Sequence, residues 1–478
     1  MSRRHTFNFS ARIATFRPEG LQVMNTSFFG EMLNSITERG RALLDRARDR
    51  RITGAARSET LADLCEQLLS GRGEASGVAL AGEILSKYAA LTTGPRIAFF
   101  ELLANRFGPD RAKIESAIAA WQSDPSDANA ARLHAAAESR RQELLRRLNL
   151  APGGTAALVR MREQLLDAMS HRPDLAAVDA DFVHLFASWF NRGFLVLRRI
   201  DWGTPAMILE KIIRYEAVHA IQSWEDLRRR IDPPDRRCYA FFHPALVDEP
   251  LIFVEVALTR GIPDAVAPIL ATEREIEAPE RADTAVFYSI SNCQRGLAGV
   301  SFGNFLIKQV VEEISRENSR LRTFVTLSPA PNFAAWLDRE RKTENSIVLS
   351  NEDRAVLAGL DTPQWWTRPE TSEPMKEPLL RAAAWYFLRA RNRRGAPHDS
   401  VARFHLGNGA RLERLNWLAD TSAKGIAQSY GLMVNYLYDL EDIEKNHEAY
   451  VEGRAIAASS AVRRLVRKGV VDLVPAAE

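Results

Sequence analysis

Near residue 185 the sequence changes texture. Before that point it reads as one helix after another. Segments 31–48, 59–69, 78–90, 95–106, 111–122, 127–148, 155–169 and 177–192 are rich in Ala, Leu, Glu and Arg. Their apolar residues recur at spacings of three and four, the periodicity of a helix with one buried face. Turn signals separate them at Gly71 to Gly73, Gly108-Pro109, Asp124-Pro125-Ser126 and Pro152-Gly153-Gly154. Asp127 is placed to cap the helix after it. No fixed repeat period emerges, so residues 1–185 are expected to form an all-α bundle. Its expected job is oligomerisation or buttressing.

After residue 185, short runs of β-branched and aromatic residues appear at 237–242, 250–258, 284–290 and 323–327. Their length and composition suit strands. Helical segments at 303–316, 333–341, 378–391 and 424–440 alternate with them. Strands mixed with helices imply an α/β or α+β layer fold for residues 186–478.

Composition sets outer bounds. At about 150 residues per domain, 478 residues allow two or three domains. Hydrophobic residues at 46% and charged residues at 26% are ordinary for a globular protein, which disfavours a disordered, collagenous or membrane-spanning chain. No apolar stretch reaches the roughly 18 residues of a membrane span. The 64 basic and 61 acidic residues nearly balance, leaving +3, so no nucleic acid is expected as a partner. Mixed runs such as Leu43 to Arg51 read as solvated helix faces rather than DNA sites.

The three cysteines, Cys65, Cys238 and Cys293, form no CxxC pair and no disulfide framework. They suggest a reducing compartment and buried small hydrophobes. The histidines lack metal-site spacing, so no zinc is expected. Residues 1–17 carry Arg3, Arg4, Arg12 and Arg17 without an acid, which resembles a transit segment in composition but reads better as a frayed basic terminus. The closing Val-Pro-Ala-Ala-Glu is not a peroxisomal tripeptide.

Two stretches carry chemistry. After the strand ending near Ile290 comes a loop with Gly296, Gly299 and Gly303, then an amphipathic helix bearing Phe305, Leu306, Ile307, Val310, Val311 and Ile314. The glycines permit tight turning and close approach of a ligand. The helix start offers free N–H groups and a positive dipole end, suited to a phosphate or pyrophosphate. The spacing is neither GxGxxG nor GxxxxGK[ST], which disfavours a nicotinamide cofactor or a nucleoside triphosphate. A strand–helix turn without any ligand is the competing reading. The segment resembles the acyl-CoA-binding loop of GNAT-type acetyltransferase folds.

The second stretch pairs Ser328 with His405. Ser328 stands in Leu327-Ser328-Pro329-Ala330-Pro331, where prolines end a central strand. A hydroxyl at a strand's C-terminal end is well placed for chemistry. Capping the next helix is the alternative role, although Asn332 suits that better. His405 lies in Phe404-His405-Leu406, just before the turn Gly407-Asn408-Gly409. Histidine titrates near neutrality and serves as proton donor or acceptor, although taken by itself such a residue is more often a hydrogen-bonded structural histidine. Further on, Asn435 and Tyr438 are three apart and would share a helix face, with the nearby Tyr and Met residues in a core.

Taken as an ordered set, these stretches resemble the malonyl-CoA decarboxylase family. The resembling residues are Phe287 to Ser291, Gly296 to Val300, Phe305 to Lys308, Leu327-Ser328-Pro329, Phe404-His405-Leu406, Asn408-Gly409-Ala410, Asn416-Trp417 and Gly431-Leu432-Met433. Arg237-Cys238-Tyr239, Trp189-Phe190 and Gly193-Phe194-Leu195 also look like that family. The resemblance covers residues 185 to 450 well and the helical part more loosely. It implies an N-terminal helical domain and a C-terminal GNAT-like catalytic domain. It implies conversion of malonyl-CoA to acetyl-CoA and carbon dioxide, with no metal, no biotin and no other cofactor. The family's catalytic serine and histidine match Ser328 and His405, and a family tyrosine matches Tyr438. The coenzyme-binding loop matches Ala298, Gly299, Val300, Ser301, Phe302, Gly303 and Asn304. Position 301 is a serine, where animal members of the family carry a glutamate.

The expected chemistry is loss of carbon dioxide to leave a thioester enolate. Backbone N–H groups at 299–304 or on an adjacent strand would steady the developing oxyanion. A proton would then arrive from His405, as imidazolium or through Ser328. An acyl-CoA N-acyltransferase and a non-catalytic malonyl-CoA sensor are the competing readings. A cytoplasmic homo-oligomer without membrane attachment is expected.

Overall fold

In a computed structural model, the residues described are 35–43, 59–71, 73–300 and 306–466. The chain divides into two compact units, one reaching Leu158 and including His171–Val178, the other comprising Val159–Ser170 and everything from Asp179. The expected basic terminus at 1–17 lies outside the described residues.

The first unit is helical. A helix at 35–43 is followed by helices Leu61–Leu69, Glu74–Ala89, Thr93–Arg106, Arg111–Ser123, Asp127–Ala137 and Arg140–Asn149. Thr60 opens the second with a capping box, its hydroxyl accepting from Asp63 N while the Asp63 carboxylate accepts from Thr60 N. The apolar faces bury Leu64, Leu68, Leu80, Ile84, Phe100 and Leu144. Two expectations are corrected here. The segment 127–148 is two helices, because Glu138 adopts an extended conformation and Ser139 opens the second. Ser126, not Asp127, is the N-cap of the first, and Asp127 adds its negative charge to the first turn instead.

The second unit is built on a single sheet. Its strands are β1 (Val196–Ile200), β2 (Arg236–Phe242), β3 (Pro250–Thr259), β4 (Thr284–Asn292), β5 (Thr323–Thr326), β6 (Ser328–Pro329), β7 (Arg411–Asn416) and β8 (Met433–Leu437). The spatial order is β1-β2-β3-β4-β5-β8-β6, with β7 on β8. The first four form an antiparallel meander. β4 and β5 are parallel. Joining parallel neighbours needs a long crossover, and the glycine loop with helix Leu306–Glu317 supplies it. β5 meets β8 at one register pair, Val325 with Leu437, while Ser328 and Pro329 pair with Val434 and Met433. β4 also bulges. Glu255 opposes Ser289 and Val256 opposes Phe287, leaving Tyr288 unopposed.

Helices Ala206–Tyr215 and Trp224–Ile231 cover one face with Ile208, Leu209, Ile212, Leu227 and Ile231 against Cys238, Ala240 and Phe253. Another cluster joins Val286, Tyr288, Val325, Leu327 and Met433. All three cysteines are buried and free.

Four strands, β1, β6, β7 and β8, were not expected, and one helix is overturned. Segment 424–440 is a short helix, Ala423–Ser429, then β8. Tyr430 and Gly431 both take positive φ, 54° and 79°, which ends the helix and turns the chain into the strand. Asn435 and Tyr438 therefore do not share a helix face. Asn435 braces β5 and β7, its amide donating to the Thr326 carbonyl (2.8 Å) and accepting from Asn416 (2.7 Å).

Candidate active site

Ser328 begins where β5 ends. Its Oγ lies 3.0 Å from His405 Nε2 and donates to Thr326 Oγ1 at 2.9 Å. His405 Nδ1 lies 2.8 Å from the Tyr438 hydroxyl. The structure thus brings together the serine, histidine and tyrosine singled out above, from three separate stretches of sequence.

Each is held by its own element. His405 rides on helix Ser400–Gly407, whose N-cap is Asp399. That carboxylate accepts from the N–H groups of Val401 and Ala402, both at 2.9 Å. It is buried, which pushes its pKa above the usual carboxylate range. Tyr438 follows β8, its N–H bonded to the Phe324 carbonyl at 2.8 Å. Asn332 occupies the N-cap position of helix Phe333–Lys342 as expected, but its side chain makes no capping bond.

The imidazole sits in an aromatic slot. Tyr436 stacks on it with centroids 4.6 Å apart and planes 25° off parallel, and Phe404 meets it edge-on at 5.1 Å. His405 is 2% exposed. Burial without a neighbouring charge lowers its pKa from 6.5 to about 3. The ring is therefore neutral at physiological pH. Burial likewise raises the pKa of the Tyr438 phenol well above its ordinary value, so the resting protein carries it protonated.

Ser328 and His405 line a cavity of about 260 Å3 with apolar walls from Val218, Ile252, Phe287 and Leu327. A second cavity of about 350 Å3 is lined by Leu297, Ala298, Gly299 and Val300. Ile252, Asn292 and Phe404 line both, so the two are neighbours. Of the expected loop residues, Ala298, Gly299 and Val300 line this second cavity, while Ser301, Phe302, Gly303 and Asn304 lie outside the described residues.

The loop glycines have distinct roles. Gly299 has φ +78°, with open space where a Cβ would sit. The N–H groups of Ala298 and Val300 are engaged with the carbonyls of Arg295 and Leu297. Gly296 corrects an expectation. The close approach there is not a ligand but the chain itself, for a Cβ would lie 2.0 Å from the Val159 carbonyl oxygen. Arg162 donates to the Gly296 carbonyl at 2.8 Å while pairing with Asp179, which fixes the loop's base to helix Gly154–Met169.

Thr326, Tyr436 and Asp399 were not found from sequence. Thr326 had a signal, since residues two apart on a strand share a face with Ser328. Asp399 had one too, as an acid just before a helical run. Tyr436 had none, because its segment read as helix. Among the described residues no group of three or more His, Cys, Asp or Glu is placed to hold a metal, and no helix is long and apolar enough to cross a membrane.

The second unit is thus a mixed α/β layer fold in which a β-meander passes through a glycine-turned loop and crossover helix into a parallel strand, with a buried Ser–His pair beside that loop. Residues 193–474 match the model of the malonyl-CoA decarboxylase C-terminal domain, and residues 107–190 match that of the N-terminal domain. The chain belongs to the malonyl-CoA decarboxylase family and is a carboxy-lyase. It is 35% identical over 417 residues to the mitochondrial malonyl-CoA decarboxylase of Anser anser anser, covering 80% of this chain and 82% of that one. With the mitochondrial enzyme of Mus musculus it shares 37% over 360 residues, 70% and 73% of the two chains. It resembles the crystal structure of malonyl-CoA decarboxylase from Rhodopseudomonas palustris at 62% identity and TM-score 0.83, covering 84% of this chain and 98% of that one. The Agrobacterium vitis structure is similar at 57% identity and TM-score 0.82, covering 85% and 100%.

Proposed function

We propose that this enzyme converts malonyl-CoA to acetyl-CoA and carbon dioxide, with Ser328 as the immediate proton donor and His405 behind it. The observation that carries the reading is the 3.0 Å Ser328–His405 contact inside a mostly apolar cavity next to the glycine loop. The acyl end would occupy the cavity at Ser328. The coenzyme arm would run past Phe404 and Asn292 along Ala298 to Val300, with the pyrophosphate held by the loop and the helix start.

Breaking the bond to the carboxyl carbon sends its electron pair into the thioester, giving an enolate and free carbon dioxide. A β-carboxy thioester carries its own electron sink, so the step needs neither biotin nor a metal, and no resident cofactor is part of the proposal. Backbone N–H groups would steady the oxyanion, each typically contributing about 10²–10³ in rate. The enolate carbon then takes the Ser328 hydroxyl hydrogen, and neutral His405 replaces it. Remote binding of the coenzyme arm fixes the acyl group for this transfer. The protein is proposed to act as a cytoplasmic homo-oligomer.

The test is release of carbon dioxide and acetyl-CoA from malonyl-CoA by the purified protein, with His405→Asn alongside. Stoichiometric release by the wild type and its loss in the variant support the reading. Tight binding of malonyl-CoA without release overturns it.

A further inference from the structure

We infer that Thr326 is a positioning residue that sets the direction of the hydrogen bonds through Ser328, His405 and Tyr438, holding His405 in its Nε2–H form with Tyr438 donating to Nδ1. The kinetic part of the inference rests on the function proposed above; the hydrogen-bond part does not.

Thr326 and Ser328 are two residues apart, and both are buried. Ser328 Oγ donates to Thr326 Oγ1 at 2.9 Å. The same Thr326 oxygen accepts the Tyr436 N–H at 3.2 Å, so the β8 backbone holds it in place. A serine hydroxyl has one hydrogen. With that hydrogen aimed at Thr326, the 3.0 Å contact between Ser328 Oγ and His405 Nε2 is donated by the ring. A neutral imidazole carries one N–H, so Nδ1 is then bare and accepts from the Tyr438 hydroxyl at 2.8 Å.

The direction matters for protonation. Thr326 keeps the Ser328 hydrogen off the ring and free to turn onto substrate. As the new C–H bond forms, the Ser328 O–H bond breaks. The Nε2 hydrogen passes to Oγ, and the Tyr438 hydrogen passes to Nδ1. The enolate carbon is a far stronger base than a phenolate, so the transfer runs downhill; once product has left, water in the emptied cavity protonates Nε2 as the Nδ1 hydrogen returns to Tyr438, which restores the Nε2–H form for the next turnover. His405 never becomes an imidazolium.

Thr326→Val keeps the shape and removes the hydroxyl. The Ser328 hydrogen then turns to Nε2, and the ring hydrogen moves to Nδ1. We expect kcat to fall roughly 10- to 100-fold, the scale for a misplaced reacting group, with KM changed by no more than about twofold because ground-state binding is untouched. Thr326→Ser restores most of the rate. ¹⁵N NMR of histidine-labelled protein, with His405→Asn to assign the resonance, reads the tautomer directly. The wild type should show Nε2–H and Thr326→Val should show Nδ1–H. A wild-type His405 protonated at Nδ1 overturns the inference even if the valine variant does not fold, and so does an unchanged kcat in a folded valine variant. An Nε2–H ring in a protein that releases no acetyl-CoA leaves the hydrogen-bond direction standing and removes the decarboxylase reading instead.

Discussion

Ser328 and His405 stand 77 positions apart in sequence and 3.0 Å apart in the fold. β6, just past the parallel β5, carries the serine, and a short helix capped by Asp399 delivers the histidine. Replacing either residue should act on chemistry rather than on folding. Ser328→Ala and His405→Asn should each lower kcat by at least about 10²-fold, the lower end for a positioned proton-transfer group. Acetyl-CoA release at saturating malonyl-CoA checks this, and wild-type-like turnover in either variant would falsify that residue's role.

Tyr438→Phe removes the hydroxyl that meets His405 Nδ1 and leaves a buried ring nitrogen unpaired. An unpaired buried polar group costs about 1–3 kcal/mol. We expect a lower midpoint in denaturant and a reduced kcat. A variant with unchanged stability and rate would show that the tyrosine is a bystander.

The pH dependence follows from burial of the imidazole. The native pKa of His405 is held near 3, below its ordinary 6.5. Between those values the unfolded chain binds a proton that the native protein does not, so stability falls as pH drops from 6.5 toward 3 and is fully present above 6.5. Denaturant titrations across that window should show a shallower acid-side decline in His405→Asn. The kcat profile should lack an acid limb near 6.5 from this residue. Such a limb in the wild type, absent from His405→Asn, would mean that the ring is charged during turnover.

Asp399 should matter through the helix it caps. Asp399→Ala removes the acceptor for two helix N–H groups and should cost about 1–2 kcal/mol, whereas Asp399→Asn should retain most of the stability. Thermal unfolding of the two variants distinguishes a cap from a requirement for charge.

Gly296→Ala tests the base of the loop. Its methyl group would lie 2.0 Å from the Val159 carbonyl oxygen, against backbone that cannot rotate away. Overpacking of this kind typically costs about 1–3 kcal/mol. A clear fall in Tm is expected, and an unchanged Tm would mean that the helix yields at Val159. Gly299→Ala has open space for its methyl but a φ of +78°, so any loss there is backbone strain.

Local chemistry made much of the architecture legible. Apolar spacings of three and four marked the helices of the first unit, and β-branched runs marked β2, β3, β4 and β5. Gly-rich and Pro-rich punctuation singled out the loop and Ser328. The reading failed where local preference is weak. Residues 433–437 lie in a segment that looks helical, but the positive φ of Tyr430 and Gly431 breaks it, and pairing with β5, β6 and β7 makes it a strand. Such pairing involves residues far away in the chain, so no window of sequence contains it.

The sequence by itself determined which side chains are available and which elements carry them: a serine at a strand's end, a histidine before a glycine turn, a loop free to bend at Gly299. Only the tertiary structure decided what those side chains are chemically. It placed Tyr438 just past the end of a strand rather than on a helix, and its hydroxyl reaches His405. It enclosed the ring between Phe404 and Tyr436, so that desolvation keeps it neutral. It spent the glycine of position 296 on the chain's own backbone. A residue's type is local, whereas its protonation state and its hydrogen-bond direction belong to the neighbours that folding brings around it.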